Sequence, residues 1–375
     1  MKILFVCHDA NLSGAPKIGF EIARYLSSQA EITMVVKKSG HLLNSPEYKS
    51  TFRKIINART SHEISGYSSA RRTSLAKKIL LREHPDLLYV NSVAASDWCR
   101  AGKECNIPVV LHSHEMKNEL LALEYVKIFE RNVAEFVDLL ITVSPDAERD
   151  IVELCTVPFK RTLSSSPGIN FKAVQLLAAR NDFALPVNIF GHSLQKSKPL
   201  ISMCGYACRR KGSDIFFQSA KRLPQFDFLW IGPWNKRQAP GNIAYKEYKR
   251  SRLSNFYLTN ETFNPYPYLK LSDLFVLTSR EDPNPLVVME ALYLSKLCMG
   301  FSSTGGSRDL LNRFGVLLQG EITLERLVSA IEQYEPSSLS YSLGEKEKEI
   351  FTKGYDLERI VGKIKKEIFS LLNGQ

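Results

Sequence analysis

Residues 2–37 read KILFVCHDANLSGAPKIGFEIARYLSSQAEITMVVK, and the stretch falls into three parts. Lys2 to Cys7 is a continuous apolar run. A polar loop follows, carrying Gly14. Beyond Pro16, which suits a helix start, Ile18, Ile22 and Leu26 recur at helical spacing. Glu31 to Lys37 is apolar again. Strand, helix, strand in this order is a βαβ unit. Strands that are apolar on both faces are expected where helices cover both sides of a parallel sheet.

The rhythm continues outward. Residues 86–92, 107–113 and 138–144 read as further buried strands, with helical patterns over 74–83 and 118–135. Residues 155–198 break it, because SSSPGIN and GHSLQKSKP are rich in turn formers. The alternation then restarts. Strands are predicted at 199–206, 226–232, 255–260, 273–279, 296–302 and 315–320, and helices at 212–223, 285–295 and 323–334. Residues 335–350, rich in Ser and Glu, read as a loop. The tail 356–372 is an amphipathic helix with Leu357, Ile360, Val361, Ile364, Ile368 and Leu371 on one face and Lys363, Lys365 and Lys366 on the other. The expected organisation is an N-terminal domain over 1–175, a linker over 176–198, a C-terminal domain over 199–355, and a helix over 356–375 packing back on the N-terminal domain. A helix lying on a membrane is the alternative for the tail.

Composition bounds the function. A chain of 375 residues exceeds the usual growth of one core, so two domains are expected. The 44% hydrophobic and 24% charged content is that of a globular protein, and no apolar run of ~18 residues marks a membrane span. The first apolar run is too short for a signal peptide, and His8 and Asp9 follow it. The seven cysteines show no Cys-x-x-Cys or Cys/His zinc spacing, which suits a reducing cytosol. A net charge of +11 suits nucleic acid, anionic lipid or phosphorylated small molecules as partners. The basic residues are spread over many segments, so a solvated surface and a membrane-facing patch both stand. No nucleic-acid module or basic-aromatic interleaving is present.

Four stretches carry candidate chemistry. In GYACRRKGSD, Arg209, Arg210 and Lys211 lie in a turn between a strand and a helix. Ligands of open α/β sheets sit at the carboxyl ends of strands, where helix starts favour anions. A diphosphate site is the reading, and a basic surface turn the alternative. Gly14 stands in the corresponding first-half loop, either to let a ligand approach the backbone or as a plain tight turn. LHSHEM places His112 and His114 at a strand end, suited to a sugar hydroxyl, a phosphate or a structural role. SREDPNPLVVMEAL places Glu281 and Asp282 before a helix and Glu290 within it. A carboxylate in an apolar helical run needs a partner, and the two hydroxyls of a ribose would serve. Solvent-facing acids are the alternative. Gly305 and Gly306, in SSTGGSRDLL, could offer backbone amides to phosphate.

These residues together resemble the retaining glycosyltransferases of family 4, which have the GT-B fold: two Rossmann-like parallel-sheet α/β domains facing a central cleft. SREDPNPLVVMEAL looks like the family signature of two acids bracketing seven residues, with Asp282 and Glu290 as the pair and Glu281 one residue out of register. SGAP, HSHE, SSSPGIN, RRKG and STGGSRD resemble its other motifs. The pattern departs at Tyr206, Ser13 and Asp309, where Arg, Gly and Glu are usual. The resemblance implies that Glu290 binds the donor ribose, that Asp282 sits near the transferred sugar, and that Lys211 with Arg210 or Arg209 holds the diphosphate. It adds His114 to the catalytic set, and Gly14, Arg209, Glu281, Pro285, Leu286, Gly305 and Gly306 to the donor side.

The implied activity is retaining transfer from a nucleotide-diphosphate sugar to a glycan or lipid-linked glycan, in cell-surface polysaccharide or lipopolysaccharide synthesis. It needs no metal or other cofactor, because fixed cations stabilise the leaving diphosphate. The expected location is the cytoplasm, at the inner face of the membrane, with possible contact to anionic lipid and none to nucleic acid. A sugar-nucleotide epimerase of the same architecture is the alternative. A two-carboxylate hydrolase fits less well. Eight residues of helix span roughly 12 Å, beyond the ~5–10 Å that such carboxylates keep.

Overall fold

The computed structural model describes residues 1–58, 68–234, 241–333 and 343–374. The chain forms two compact units, Met1–Gly168 with the stretch from Leu357 onward, and Ile169–Asp356.

Unit 1 runs β1 (Lys2–Cys7), α1 (Gly14–Leu26), β2 (Glu31–Val36), α2 (Pro46–Thr51), β3 (Lys54–Asn57), α3 (Ser69–Glu83), β4 (Leu87–Asn91), α4 (Asp97–Glu104), β5 (Val109–Ser113), α5 (Lys117–Tyr125), β6 (Leu139–Thr142), α6 (Pro145–Leu154) and β7 (Thr162–Ser164). Its parallel sheet has the order β3-β2-β1-β4-β5-β6-β7. The continuous apolar reading of β1 has its reason here. Ile3, Phe5 and Cys7 enter the core on one face of the sheet, and Leu4 and Val6 the core on the other.

Unit 2 runs α7 (Phe171–Ala178), β8 (Leu200–Cys204), α8 (Ser213–Arg222), β9 (Asp227–Ile231), α9 (Gly241–Ser251), β10 (Phe256–Leu258), α10 (Tyr266–Leu271), β11 (Leu274–Val276), α11 (Leu286–Tyr293), β12 (Leu297–Phe301), α12 (Arg308–Phe314), β13 (Val316–Leu318), α13 (Leu324–Glu332) and α14 (Glu345–Tyr355). Its parallel sheet has the order β10-β9-β8-β11-β12-β13.

Strand order reverses direction between β1 and β4 in unit 1 and between β8 and β11 in unit 2. At such a switch point the neighbouring loops leave in opposite directions and open a crevice at the carboxyl ends of the strands.

Several elements differ from the sequence reading. The helix expected over 118–135 stops at Tyr125, because Lys127 takes a left-handed φ of 55° and returns its N–H to Glu124 O. Phe129 and Val133 beyond it turn into the core. Edge strands β3 and β7 lack the long apolar runs of the central strands and were not expected. The Ser- and Glu-rich stretch is helical from Glu345, where Glu347 accepts the Gly344 N–H and Phe351 is buried against Phe171 and Phe314. The part of that expected loop over 335–342 lies outside the described residues. The division between units falls at Gly168, ahead of 175, since Ile169, Phe171 and Val174 belong to the core of unit 2.

The last helix, α15 (Leu357–Leu372), joins unit 1. Its Leu357, Ile360, Val361, Ile364 and Ile368 are buried in the same core as Ile3, Phe5 and Ile22. An ideal Cβ on Gly168 would lie 3.0 Å from Leu357 Cα, so the chain leaves and re-enters unit 1 at one place. Full burial of each such aliphatic side chain contributes roughly 1.5–3 kcal/mol. Ile368→Ala is therefore expected to destabilise unit 1 by about 2–5 kcal/mol, read as a lower denaturant midpoint at unchanged slope. A change under about 0.5 kcal/mol would mean that the helix adds little to the fold.

Candidate active site

The unit 2 switch point is built by the loop after β8 and the loop after β11. Gly212 sets how closely they meet. It has φ +68°, and a Cβ there would fall 1.9 Å from Thr278 O. No other residue fits without moving one loop. Thr278 Oγ1 in turn donates to Lys211 O at 2.8 Å, and Arg280 N donates to Arg210 O at 2.7 Å. The basic turn and the acid stretch are thus held backbone to backbone.

The charges follow from that contact. Lys211 Nζ donates to Asp282 Oδ2 at 2.5 Å, and Ser279 Oγ donates to the same oxygen at 3.0 Å. Arg210 Nη1 donates to the Glu281 carbonyl at 3.1 Å. Arg209 is exposed, and its carbonyl accepts from Arg280 Nη1 at 2.7 Å. Arg280 also grips Asp214, in the first turn of α8, with bonds of 2.8 and 2.7 Å. Burial pushes the Asp214 carboxyl up, and the Arg280 fork together with backbone N–H groups at the start of α8 outweighs this, holding it below its usual range.

All three acids of the stretch are buried, with Glu281 8%, Asp282 3% and Glu290 5% exposed. This removes the reading of solvent-facing acids. Pro285 precedes α11 in extended backbone and fixes its start, and Leu286 opens the helix half-buried. Glu290, one helical turn further on, accepts from Tyr266 Oη at 2.9 Å. Asp282 N donates to Thr304 O at 2.9 Å, and Gly306 N donates to Asp282 O at 3.1 Å. The Gly306 amide, expected to face phosphate, is instead occupied in fixing Asp282. Gly305, with φ +104°, forms the bridge opposite Asp282.

Unit 1 carries the other predicted residues. Gly14 is exposed at the first position of α1, after β1. His114 follows β5, buried, with its ring centroid 4.2 Å from that of His112. Burial, with His112 and His8 nearby, pushes its pKa well below the usual range and keeps the ring neutral. Glu115 is the organiser of this loop. Its Oε2 accepts from His114 N at 2.8 Å, Val93 N at 3.1 Å and Ser113 Oγ at 3.2 Å, and its Oε1 accepts from Ser92 Oγ. Ser92 has a φ of 89°, a strain of about 1–3 kcal/mol that these bonds offset. Among the described residues no three His, Cys, Asp or Glu side chains group to hold a metal.

Sequence reasoning missed Ser279, Arg280, Tyr266 and Glu115. Ser279, Arg280 and Glu115 stood inside the quoted motifs. Tyr266 carried no local signal, since only the packing of α10 beside α11 brings it to Glu290.

Comparison with known proteins finds glycosyltransferase models over most of the chain. Residues 13–172 match the Glycosyltransferase Family 4 model, and residues 187–349 match that of Glycosyl transferases group 1. The chain is a glycosyltransferase. It is 22% identical to the UDP-Gal:alpha-D-GlcNAc-diphosphoundecaprenol alpha-1,3-galactosyltransferase of Escherichia coli, over 97% of this chain and 96% of the relative. Among solved structures, HepE of Anabaena in complex with UDP and glucose matches with a TM-score of 0.77 at 18% identity, covering 99% of this glycosyltransferase and all of HepE. WaaG, described as a glycosyltransferase involved in lipopolysaccharide biosynthesis, matches with a TM-score of 0.66 at 13% identity, covering 96% and 98%. The fold is GT-B.

The Glu115 carboxyl gives a test of unit 1. Burial pushes it up to about 7, with Glu119 adding to the rise and the bonds from Ser92, Val93 and His114 opposing it. Its folded pKa lies above its unfolded value near 4.5. The stability it contributes is therefore complete below about pH 4.5 and is lost as pH rises through about 7, by up to about 3 kcal/mol. Gln in its place keeps an acceptor toward the amides and can donate to Ser92 Oγ. Glu115→Gln is expected to gain Tm relative to the parent progressively from pH 5 to pH 8. A Tm difference independent of pH would show that Glu115 is ionised throughout.

Proposed function

We propose that this glycosyltransferase moves a hexose, with retention and without a metal, from a nucleotide-diphosphate sugar to a glycan or lipid-linked glycan. The pathway would be cell-surface polysaccharide or lipopolysaccharide synthesis, and the place the inner face of a membrane. The observation that carries the reading is the Lys211–Asp282 pair, held beside Arg210 at the β8/β11 switch point. A cation fixed there can exchange its carboxylate partner for the β-phosphate of a donor.

The chemistry assigns roles to the residues present. The bond from the anomeric carbon to the β-phosphate oxygen breaks with its electron pair going to phosphate. Lys211 and Arg210 stabilise the charge that builds there. The acceptor hydroxyl loses its proton to the leaving phosphate and bonds to the anomeric carbon on the same face. Glu290, oriented by Tyr266, binds the ribose hydroxyls, and Asp282 faces the transferred sugar. The E. coli relative is named for a UDP-galactose donor and a diphosphoundecaprenol acceptor, and HepE was captured with UDP and glucose. Those names support a UDP-hexose donor and a lipid-diphosphate acceptor here. Among the described residues no helix is long and apolar enough to cross a membrane. We propose that a lipid-linked acceptor is met through surface contact. The +11 charge favours an anionic bilayer for that contact.

A thermal-shift panel of UDP-, GDP-, ADP- and dTDP-sugars tests the donor class, since a ligand bound to the folded state raises Tm. A UDP-hexose is expected to stabilise the protein, and Glu290→Ala to weaken its binding roughly 30-fold, as the loss of charged hydrogen bonds implies. Tyr266→Phe is expected to weaken it less, roughly three- to tenfold, with turnover nearly unchanged. Incubating the donor with lipid-diphosphate acceptor, and reading the product anomer by NMR, tests transfer and retention. Conversion of the donor without acceptor would instead mark an epimerase.

A further inference from the structure

The unit 1 switch point holds a buried side chain that the reading so far leaves without a role. Asn91 ends β4, in register with Cys7 of β1 and His112 of β5, and is 0% exposed. Its amide lies between two groups. Asn91 Nδ2 is 2.9 Å from Ala15 O, in the first turn of α1, and Asn91 Oδ1 is 2.9 Å from His114 Nε2.

We infer that Asn91 is a positioning residue that fixes His114 as the Nε2–H tautomer, so that Nδ1 presents a lone pair to a substrate hydroxyl. A backbone carbonyl only accepts, so the NH2 end of the amide faces Ala15. The oxygen end then faces His114. That oxygen also only accepts, so the proton of the bond sits on Nε2. In a neutral imidazole the second nitrogen is then an acceptor. Among the described residues His114 Nδ1 has no hydrogen-bond partner. Asn91 holds the ring at Nε2, and Glu115 holds the His114 backbone through its N–H. Space for the amide is kept by Gly19, where a Cβ would fall 2.4 Å from Asn91 Nδ2. The same amide therefore ties the first turn of α1, with Gly14, to the loop after β5, with His114.

The ionisable groups around this ring are His8 after β1, His112 on β5 and Glu115 beside it, and the Cys7 thiol on β1 lies against the Asn91 amide. His112, pushed down to about 3 by burial, is neutral and bonds Tyr89 Oη at 2.9 Å. A neutral acceptor nitrogen recognises a hydroxyl and rejects a second lone pair. The substrate contact rests on the glycosyl-transfer reading, whereas the tautomer stands without it.

Nitrogen-15 NMR of the histidine rings in the parent protein decides the tautomer directly. The expected spectrum for His114 has a protonated Nε2 and a bare Nδ1, and an Nδ1–H form or an imidazolium at pH 7 would overturn the proposal. Asn91→Asp places a carboxylate against Nε2–H, so the His114 pKa is expected to rise by a unit or more in the same titration. Gly19→Ala, which crowds the amide from outside the ring, is expected to produce a mixture of tautomers. Asn91→Leu is expected to lower kcat/KM for transfer about tenfold or more while UDP binds within twofold of the parent. Unchanged kcat/KM in that variant would overturn the positioning role. The expected tautomer in a protein that transfers no sugar would instead retire the glycosyl-transfer reading and leave the role of Asn91 in place.

Discussion

The approach of Gly212 to the carbonyl of Thr278 governs the charged cluster at the switch point of unit 2. Two loops from the central strands β8 and β11 can touch only because one residue lacks a Cβ. Once they touch, Lys211 reaches Asp282, Arg210 reaches the Glu281 carbonyl and Arg280 reaches Asp214. None of these side-chain contacts would survive a displacement of an ångström or two. The charged site is thus a consequence of a backbone contact, not the cause of it. This order explains why cations and acids so far apart in sequence form a fixed group.

Much of the fold was legible because parallel strands buried on both faces read as plain apolar runs. Every central strand of both sheets was visible in this way. What was not legible was decided by packing. The edge strands β3 and β7 are short and partly exposed, so they carry no such run. Helix α14 looked polar because a single residue, Phe351, buries most of its contact with the core. The left-handed turn at Lys127 ended a helix whose apolar pattern seemed to continue.

The site divides along the same line. Asp282, Glu290, Arg210 and Lys211 were readable as candidates because acids beside an apolar helical run and cations in a strand-to-helix turn stand out in the sequence. Their supports were not readable. Tyr266 and Asn91 lie on other elements and look like ordinary residues of a helix and a strand. Gly306 was readable as a loop glycine, but its amide serves Asp282. Motifs report which groups act, and tertiary structure reports which groups hold them.

The meeting of Gly168 with Leu357 has a consequence for the architecture of the gene product. Unit 2 is an uninterrupted insert in a domain whose own chain is broken once, and the two broken ends touch. Helix α15 completes the core of unit 1. During synthesis unit 1 therefore lacks one wall until Leu357–Leu372 emerges, whereas unit 2 precedes that helix in the chain. The N-terminal half, though translated first, is the later of the two to close.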